Sequence, residues 1–322
     1  MQRQQFIRGM AAAALACVAG TAAAQAWPAK PITMIIPFPP GGTLDVVGRM
    51  LAQKLGQQLG QTVIVDNRPG GAGTLGAGMV ARAPADGYTL LFTASTFTTT
   101  PMTQKTPVYD VVKDFTPLAL VAKAPLAVSV NKHLPFNDIK GLLAYGKQNP
   151  GKLTFAIGST GSAGHLSSEL LRRAGQMDYL IVPYKGSAPA YQDLIGGQID
   201  AFIDPILGSV PFAKAGQLKV LAVTSKNRLA SQPELPTVGE TVPGYEFYSW
   251  YGLWGPAGLP KDVAARLNAE VNKALTAGEM PERLPAQGLL LTPGSIEDFT
   301  RFQHEDMVLS QRIITEGKIR AE

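Results

Sequence analysis

Two short segments of this chain combine glycines with hydroxyls in a way that suits the grip of a small anion. Phe38-Pro39-Pro40-Gly41-Gly42-Thr43 follows the apolar run Ile32 to Pro37 and precedes a helical apolar repeat. Gly158-Ser159-Thr160-Gly161-Ser162-Ala163-Gly164 occupies the same setting between an apolar run and a helix. Glycine lets the backbone run close to a ligand. A helix N-terminus presents unpaired N–H groups worth about half a positive charge, which hold a carboxylate or phosphate without a lysine. Open α/β sheets place ligands at the carboxyl ends of their strands, so the two junctions are expected to face one cleft.

Other chemistry is sparse. Asp204 ends a short apolar run, where it either caps the helix expected from Ile206 or faces the cleft as an acceptor. His133, His165 and His304 lack zinc-ligand spacing, and His165 is expected to cap or pack at a helix start. Neither Ser159 nor Ser162 has glycines at both −2 and +2, so neither forms a nucleophile elbow. Gly71-Ala72-Gly73-Thr74-Leu75-Gly76 matches the dinucleotide fingerprint, but Asp86 comes too early to serve as its ribose partner. No catalytic residue, metal or cofactor is expected.

The chain has 322 residues, of which 45% are hydrophobic and 16% charged; that excludes disorder and suggests two domains. Arg3 and Arg8, the apolar stretch Gly9 to Ala24 and Ala24-Gln25-Ala26 compose a secretory leader cleaved after Ala26. Cys17, the sole cysteine, lies within it and leaves lipidation as an alternative. The mature chain is modestly basic and has no Lys/Arg run interleaved with aromatics, so nucleic acid is not an expected partner.

Elements that position the two loops follow from periodicity. Val47, Leu51, Leu55 and Leu59 make a helical stripe that Gly60 stops. Strands are expected over 62–66, 88–93, 153–157, 179–184, 199–203 and 218–224, with helices near 75–82, 166–174, 188–195 and 263–275 and from 296 onward. This alternation predicts an α/β fold in two units with mainly parallel sheets. The apolar runs Leu118 to Val130 and Tyr245 to Trp254 read as strands crossing between the units, which makes a hinge beside a cleft. The expected division places 27–124 and 249–322 in lobe I and 125–248 in lobe II. Most aromatics of the second run are expected in core or hinge packing.

Pro37-Phe38-Pro39-Pro40-Gly41-Gly42 with Asp45, Asn67-Arg68-Pro69-Gly70, Ala85-Asp86-Gly87-Tyr88, Val112-Lys113-Asp114-Phe115, Val182-Pro183-Tyr184-Lys185-Gly186, Gly197-Gln198-Ile199-Asp200 and Leu235-Pro236-Thr237-Val238 occur in order. Together they closely resemble the Bug receptors, the extracytoplasmic solute-binding proteins of tripartite tricarboxylate transporters. The resemblance implies a two-lobed periplasmic-binding-protein fold, type II-like, with two crossover hinge strands and a central cleft. It implies a periplasmic, monomeric, non-enzymatic receptor that hands a small organic carboxylate to membrane permease subunits. Presentation of the ligand to a sensor kinase and an exported α/β enzyme are the alternatives. Carried over, the site comprises Phe38, Pro39, Gly41, Gly42 and Thr43, then Ser159, Thr160, Gly161, Ser162 and Ala163, with Asp204. Ser95, Thr96 and Phe97 join them from a segment that varies in the family, and Phe97 with Phe38 is expected to sandwich an aromatic ring.

Overall fold

The computed structural model describes residues 27–320, so the expected leader through Ala26, with Cys17, lies outside the described residues. The first lobe opens with β1 (Ile32–Ile36), α1 (Thr43–Leu59), β2 (Val63–Asn67), α2 (Thr74–Ala81), β3 (Thr89–Ala94) and α3 (Thr96–Thr103). β1 pairs in parallel with both β2 and β3. Val47, Leu51 and Leu55 of α1 are wholly buried against this sheet, as their spacing requires, each contributing roughly 1.5–3 kcal/mol. Gly60 ends the helix in the left-handed region at φ 68°.

β4 (Phe115–Asn131) leads into the second lobe: α4 (Ile139–Gln148), β5 (Leu153–Ile157), α5 (Ala163–Ala174), β6 (Tyr179–Pro183), α6 (Ser187–Gly196), β7 (Ala201–Pro205), α7 (Ile206–Lys214) and β8 (Leu218–Val223). The chain returns through β9 (Tyr248–Pro256), α8 (Lys261–Thr276), α9 (Glu279–Ala286), β10 (Leu290–Leu291) and α10 (Ile296–Gly317). The strands run β2-β1-β3-β9-β4-β7-β5-β6, with β8 and β10 also paired to β4. β4 pairs with β9 as far as Pro125, and from Leu126 it pairs with β7 and β8 instead.

The return crossing is clasped by one buried hydroxyl. Thr224, just after β8, accepts from Leu126 N–H at 2.8 Å and donates to Phe247 C=O at 2.7 Å, while Phe247 N–H donates to Thr224 C=O at 2.9 Å. Beyond it the aromatics of β9 alternate. Trp250 and Trp254 join Phe97 and Phe299 in one cluster, whereas Tyr251 and Leu253 enter the main first-lobe core on the opposite face.

One departure concerns the C-terminus. Phe299, near the start of α10, packs in the first lobe, yet Ile313, Ile314 and Ile319 are buried in the second-lobe core. Arg173 of α5 donates to the Ile313 carbonyl and pairs with Glu316. The hydrophobic face of a 22-residue helix is long enough to serve both cores, so the region from 249 onward is not confined to lobe I.

Gly164, in the first turn of α5, lies against β7: a Cβ there would stand 2.1 Å from the Ile203 carbonyl oxygen. Gly164→Ala is expected to lower stability by about 1–3 kcal/mol or more. Gly196→Ala, at the end of α6 with nothing within 4 Å, is expected to be neutral or stabilising by up to about 1 kcal/mol. Urea midpoints of the two variants check this contrast.

Candidate functional site

Parallel order brings the carboxyl ends of β1, β2 and β3 to one edge of the first lobe and those of β5, β6 and β7 to one edge of the second. The loops that follow these strands form the candidate site. In the first lobe its shape is set by Asp45, which is 4% exposed. Its Oδ2 accepts from Gly41 N–H at 3.0 Å and Arg49 Nε at 2.9 Å, and its Oδ1 accepts from Asn67 Nδ2 at 2.9 Å. The same Asn67 amide donates to Phe38 C=O at 3.0 Å, tying the loop to the end of β2. Burial opposes ionisation of Asp45, but the Arg49, Gly41 and Asn67 hydrogen bonds together hold its carboxyl below the usual range.

α1 therefore starts from a fixed loop. Gly42 is its N-cap, in extended conformation, and no side chain caps it; the Asp45 carboxylate accepts from the Gly41 amide instead. Val46 N–H makes the first helical bond, to Gly42 C=O, so the amides of Thr43, Leu44 and Asp45 have no helical acceptor. A Cβ at Gly41 or Gly42 would meet nothing within 4 Å, so the space above them is open. Pro39 is exposed, Thr43 is half-buried, and Phe38 lies with its ring against Gly73. Because the Gly41 amide is held by Asp45, Gly41 serves the loop's shape.

The second-lobe loop is built in a similar way. Ser162 caps α5 by accepting from His165 N–H at 3.2 Å, and Ser162 N–H donates to Ser159 C=O at 3.1 Å. Gly161, at φ 77°, donates its N–H to His165 Nδ1 at 3.2 Å. Burial, with Arg172 nearby, pushes the His165 pKa down to about 4, so the imidazole is neutral and its Nδ1 is free to accept. Ala163 is buried, while Ser159 and Thr160 remain half-exposed at the loop tip. The Gly161 carbonyl accepts from Thr99 Oγ1 of α3 at 2.6 Å. This bond joins the lobes. Both backbone groups of Gly161 are thus engaged within the protein, and this residue shapes the loop instead of offering an amide.

Of the residues expected before and within α3, Ser95 and Thr96 are buried at its start. Ser95 Oγ is buried and has no hydrogen-bond partner among the described residues. Phe97 is not a wall of the cleft. It is 3% exposed, stacks on Tyr109 at 5.1 Å, meets Phe115 edge-on at 4.8 Å and packs on Trp254 at 4.8 Å. A sandwich with Phe38 is excluded because the aromatic core claims the Phe97 ring.

Asp204 does not cap α7, whose N-cap is Pro205 without a side-chain bond. Its Oδ1 accepts from Ser187 Oγ at 3.0 Å and its Oδ2 from Tyr191 OH at 3.3 Å. Burial pushes its pKa up to about 7, against the two hydroxyl hydrogen bonds that lower it. Ser187 in turn adjoins Gly158, which accepts from Gly186 N–H at 2.8 Å. The glycine fingerprint at 71–76 builds a tight turn that packs beside α3, with Thr100 Oγ1 donating to Ala72 C=O at 3.4 Å. Sequence reasoning passed over Thr99, Ser187 and Tyr191; only the tertiary fold brings them to the site.

The chain has relatives among known proteins. The model of the family described as tripartite tricarboxylate transporter family receptor matches residues 47–319. The chain belongs to this receptor family. Among solved structures it is similar to an R. palustris protein in complex with adipate, with 35% identity, a TM-score of 0.87, and 91% of this chain and 99% of that one covered. It is similar to the periplasmic binding protein BugD, at 33% identity and a TM-score of 0.84, covering 92% and 100% of the chains. MatC from Rhodopseudomonas palustris with bound malate shares 30% identity at a TM-score of 0.82, over 89% and 100%. The receptor family fits a two-lobed α/β molecule.

Two predictions follow from the loop that joins the lobes. Thr99→Val keeps the side chain's shape but removes the interlobe bond. Its net worth of about 0.5–1.5 kcal/mol predicts a larger radius of gyration for the ligand-free protein in X-ray scattering. His165 must be neutral to accept from Gly161, and its folded pKa lies below the unfolded value. Its contribution is therefore present above about pH 6.5 and lost as pH falls toward 4. Hydrogen exchange at Gly161 and Ser162 is expected to rise, relative to the rest of the chain, over that window.

Proposed function

We propose that this receptor captures a small organic carboxylate, a dicarboxylate foremost, by closure of the two lobes and delivers it to the membrane permease subunits of a tripartite tricarboxylate-type transporter. The observation that carries this reading is the uncapped N-terminus of α1, open above Gly42, on the edge that Thr99 joins to the hydroxyl loop of the second lobe. Oriented amide dipoles and hydroxyls hold an anion without a cofactor or a catalytic group. The relatives with adipate and malate support a carboxylate, and the burial of Phe97 favours an aliphatic ligand over an aromatic one. The reading places the protein in the periplasm as a monomer, with its leader cleaved after Ala26. It acts there as a receptor and not an enzyme, with lobe II over 125–248, lobe I on either side and the last turns of α10 shared.

The test is thermal unfolding against a panel of carboxylates: adipate, malate, citrate, acidic amino acids and benzoate. An authentic ligand at a hundredfold excess over its Kd adds about 2.7 kcal/mol, read as a rise of several degrees. Gly42→Asp places a negative charge at the anion site, where a side chain meets no obstacle and Asp is itself a good N-cap. Its ligand-free melting temperature is expected to equal or exceed that of the parent, while the carboxylate-induced shift disappears. A retained shift in this variant, or no shift in the parent with any member, contradicts the reading.

A further inference from the structure

The strand-end acid of the second lobe has surroundings unlike those of every other carboxylate near the site. Asp45 is matched by Arg49, whereas Asp204 has no Lys, Arg or His within ion-pair distance among the described residues. The groups packed around it are uncharged. α6 contributes the Ser187 and Tyr191 hydroxyls, α7 contributes Gly208, β9 contributes Tyr251, and β4 contributes Ala127, its ladder partner. Lys185 lies two residues before Ser187 but is exposed and makes no ion pair with Asp204. His165, in the first turn of α5, is kept neutral by burial with Arg172 nearby, and its Nδ1 accepts from Gly161 N–H.

It nonetheless lies beside the hydroxyl loop. Asp204 Oδ1 is one hydrogen bond from Ser187, and Ser187 stands 3.8 Å from where a Cβ on Gly158 would lie. The first turn of α5 rests on the carbonyl of Ile203, the residue before Asp204. The acid therefore sits at the base of the hydroxyl loop and keeps part of its surface open.

An anion arriving there meets a carboxyl group whose two oxygens already accept from Ser187 and Tyr191. In its ionised form Asp204 offers only lone pairs to a ligand carboxylate, and two carboxylates sharing a desolvated site without a cation cannot both stay ionised. In its protonated form it offers one O–H donor. We propose that Asp204 determines specificity by binding the far carboxylate of a dicarboxylate as a neutral acid, so that each ligand is taken up together with one proton. This rests on the carboxylate reading above and deepens it. Burial already raises the acid to about 7 before any ligand arrives, so little work remains to keep the proton on it. A monocarboxylate lacks the second anion and draws no benefit from the proton.

The experiment is titration calorimetry of the purified protein with adipate, malate and hexanoate between about pH 6.5 and 9, where the free acids are ionised throughout. The dicarboxylate that binds is expected to lose about tenfold in affinity per pH unit above about 7. Repetition in buffers of different ionisation enthalpy is expected to show proton uptake approaching one per ligand as pH rises. Hexanoate should show neither effect. Asp204→Asn keeps a donor and cannot titrate, so its dicarboxylate affinity should be flat with pH and tighter than the parent's at the alkaline end. A pH-independent dicarboxylate affinity without proton uptake in the parent overturns the inference and leaves the receptor reading standing. Loss of dicarboxylate binding in a folded Asp204→Asn protein also overturns it, because the acid then acts as an ionised acceptor. If that variant fails to fold, proton uptake by the parent decides alone. Binding of no carboxylate at any pH overturns the receptor reading and this inference with it.

Discussion

One 17-residue strand, β4, supplies backbone hydrogen bonds to both lobes, and every other element takes its place from that sharing. Up to Pro125 its partner is β9, and from Leu126 its partners are β7 and β8. A strand that serves two differently oriented sheets must twist, and β4 shows register shifts at Pro117/Ala119, Leu120/Ala122 and Val128/Ser129. Proline at the change of partners removes one donor where the ladders part, and Thr224 restores the connection by bonding both Leu126 and Phe247. The Thr99–Gly161 bond brings the segments that follow the two groups of strand ends into contact.

What those ends present is chemically restrained. The charges nearest the first loop cancel within the Asp45–Arg49–Asn67 cluster, and the imidazole nearest the second loop is neutral. On the proposed reading, attraction for an anion would come from oriented amides and hydroxyls held by side chains one layer behind them. Fixed dipoles of this kind need no reorganisation when the ligand arrives, and they discriminate by geometry and hydrogen-bond count more than by charge.

Much of this was legible in the sequence. The α1 stripe, the alternation of strands and helices, both glycine loops and the apolar runs that became β4 and β9 all obey local periodicity. The failures share a cause. α3 was invisible because five threonines and Pro101 in eight residues are poor helix formers; in the structure Thr98, Thr100 and Thr103 return their hydroxyls to carbonyls one turn back. Phe97 looked like a ligand platform because spacing cannot reveal that Tyr109, Phe115 and Trp254 enclose it. Gly41 and Gly161 looked like free amides because their acceptors, a carboxylate and an imidazole one helical turn on, matter only once the loops have closed upon them.

α10 bears on how such a molecule moves. Its first turns belong to one core and its last to the other, while Gln303 in between accepts from the Trp254 indole N–H at 2.8 Å. Two strands alone would form a free pivot. A helix roughly 33 Å long that is anchored at both ends and pinned near its middle behaves as a leaf spring across that pivot. Separation of the lobes must flex the rod or drag Ile313 and Ile314 from their seats, so a restoring torque grows with the angle. Small excursions are then inexpensive and wide gaping is resisted.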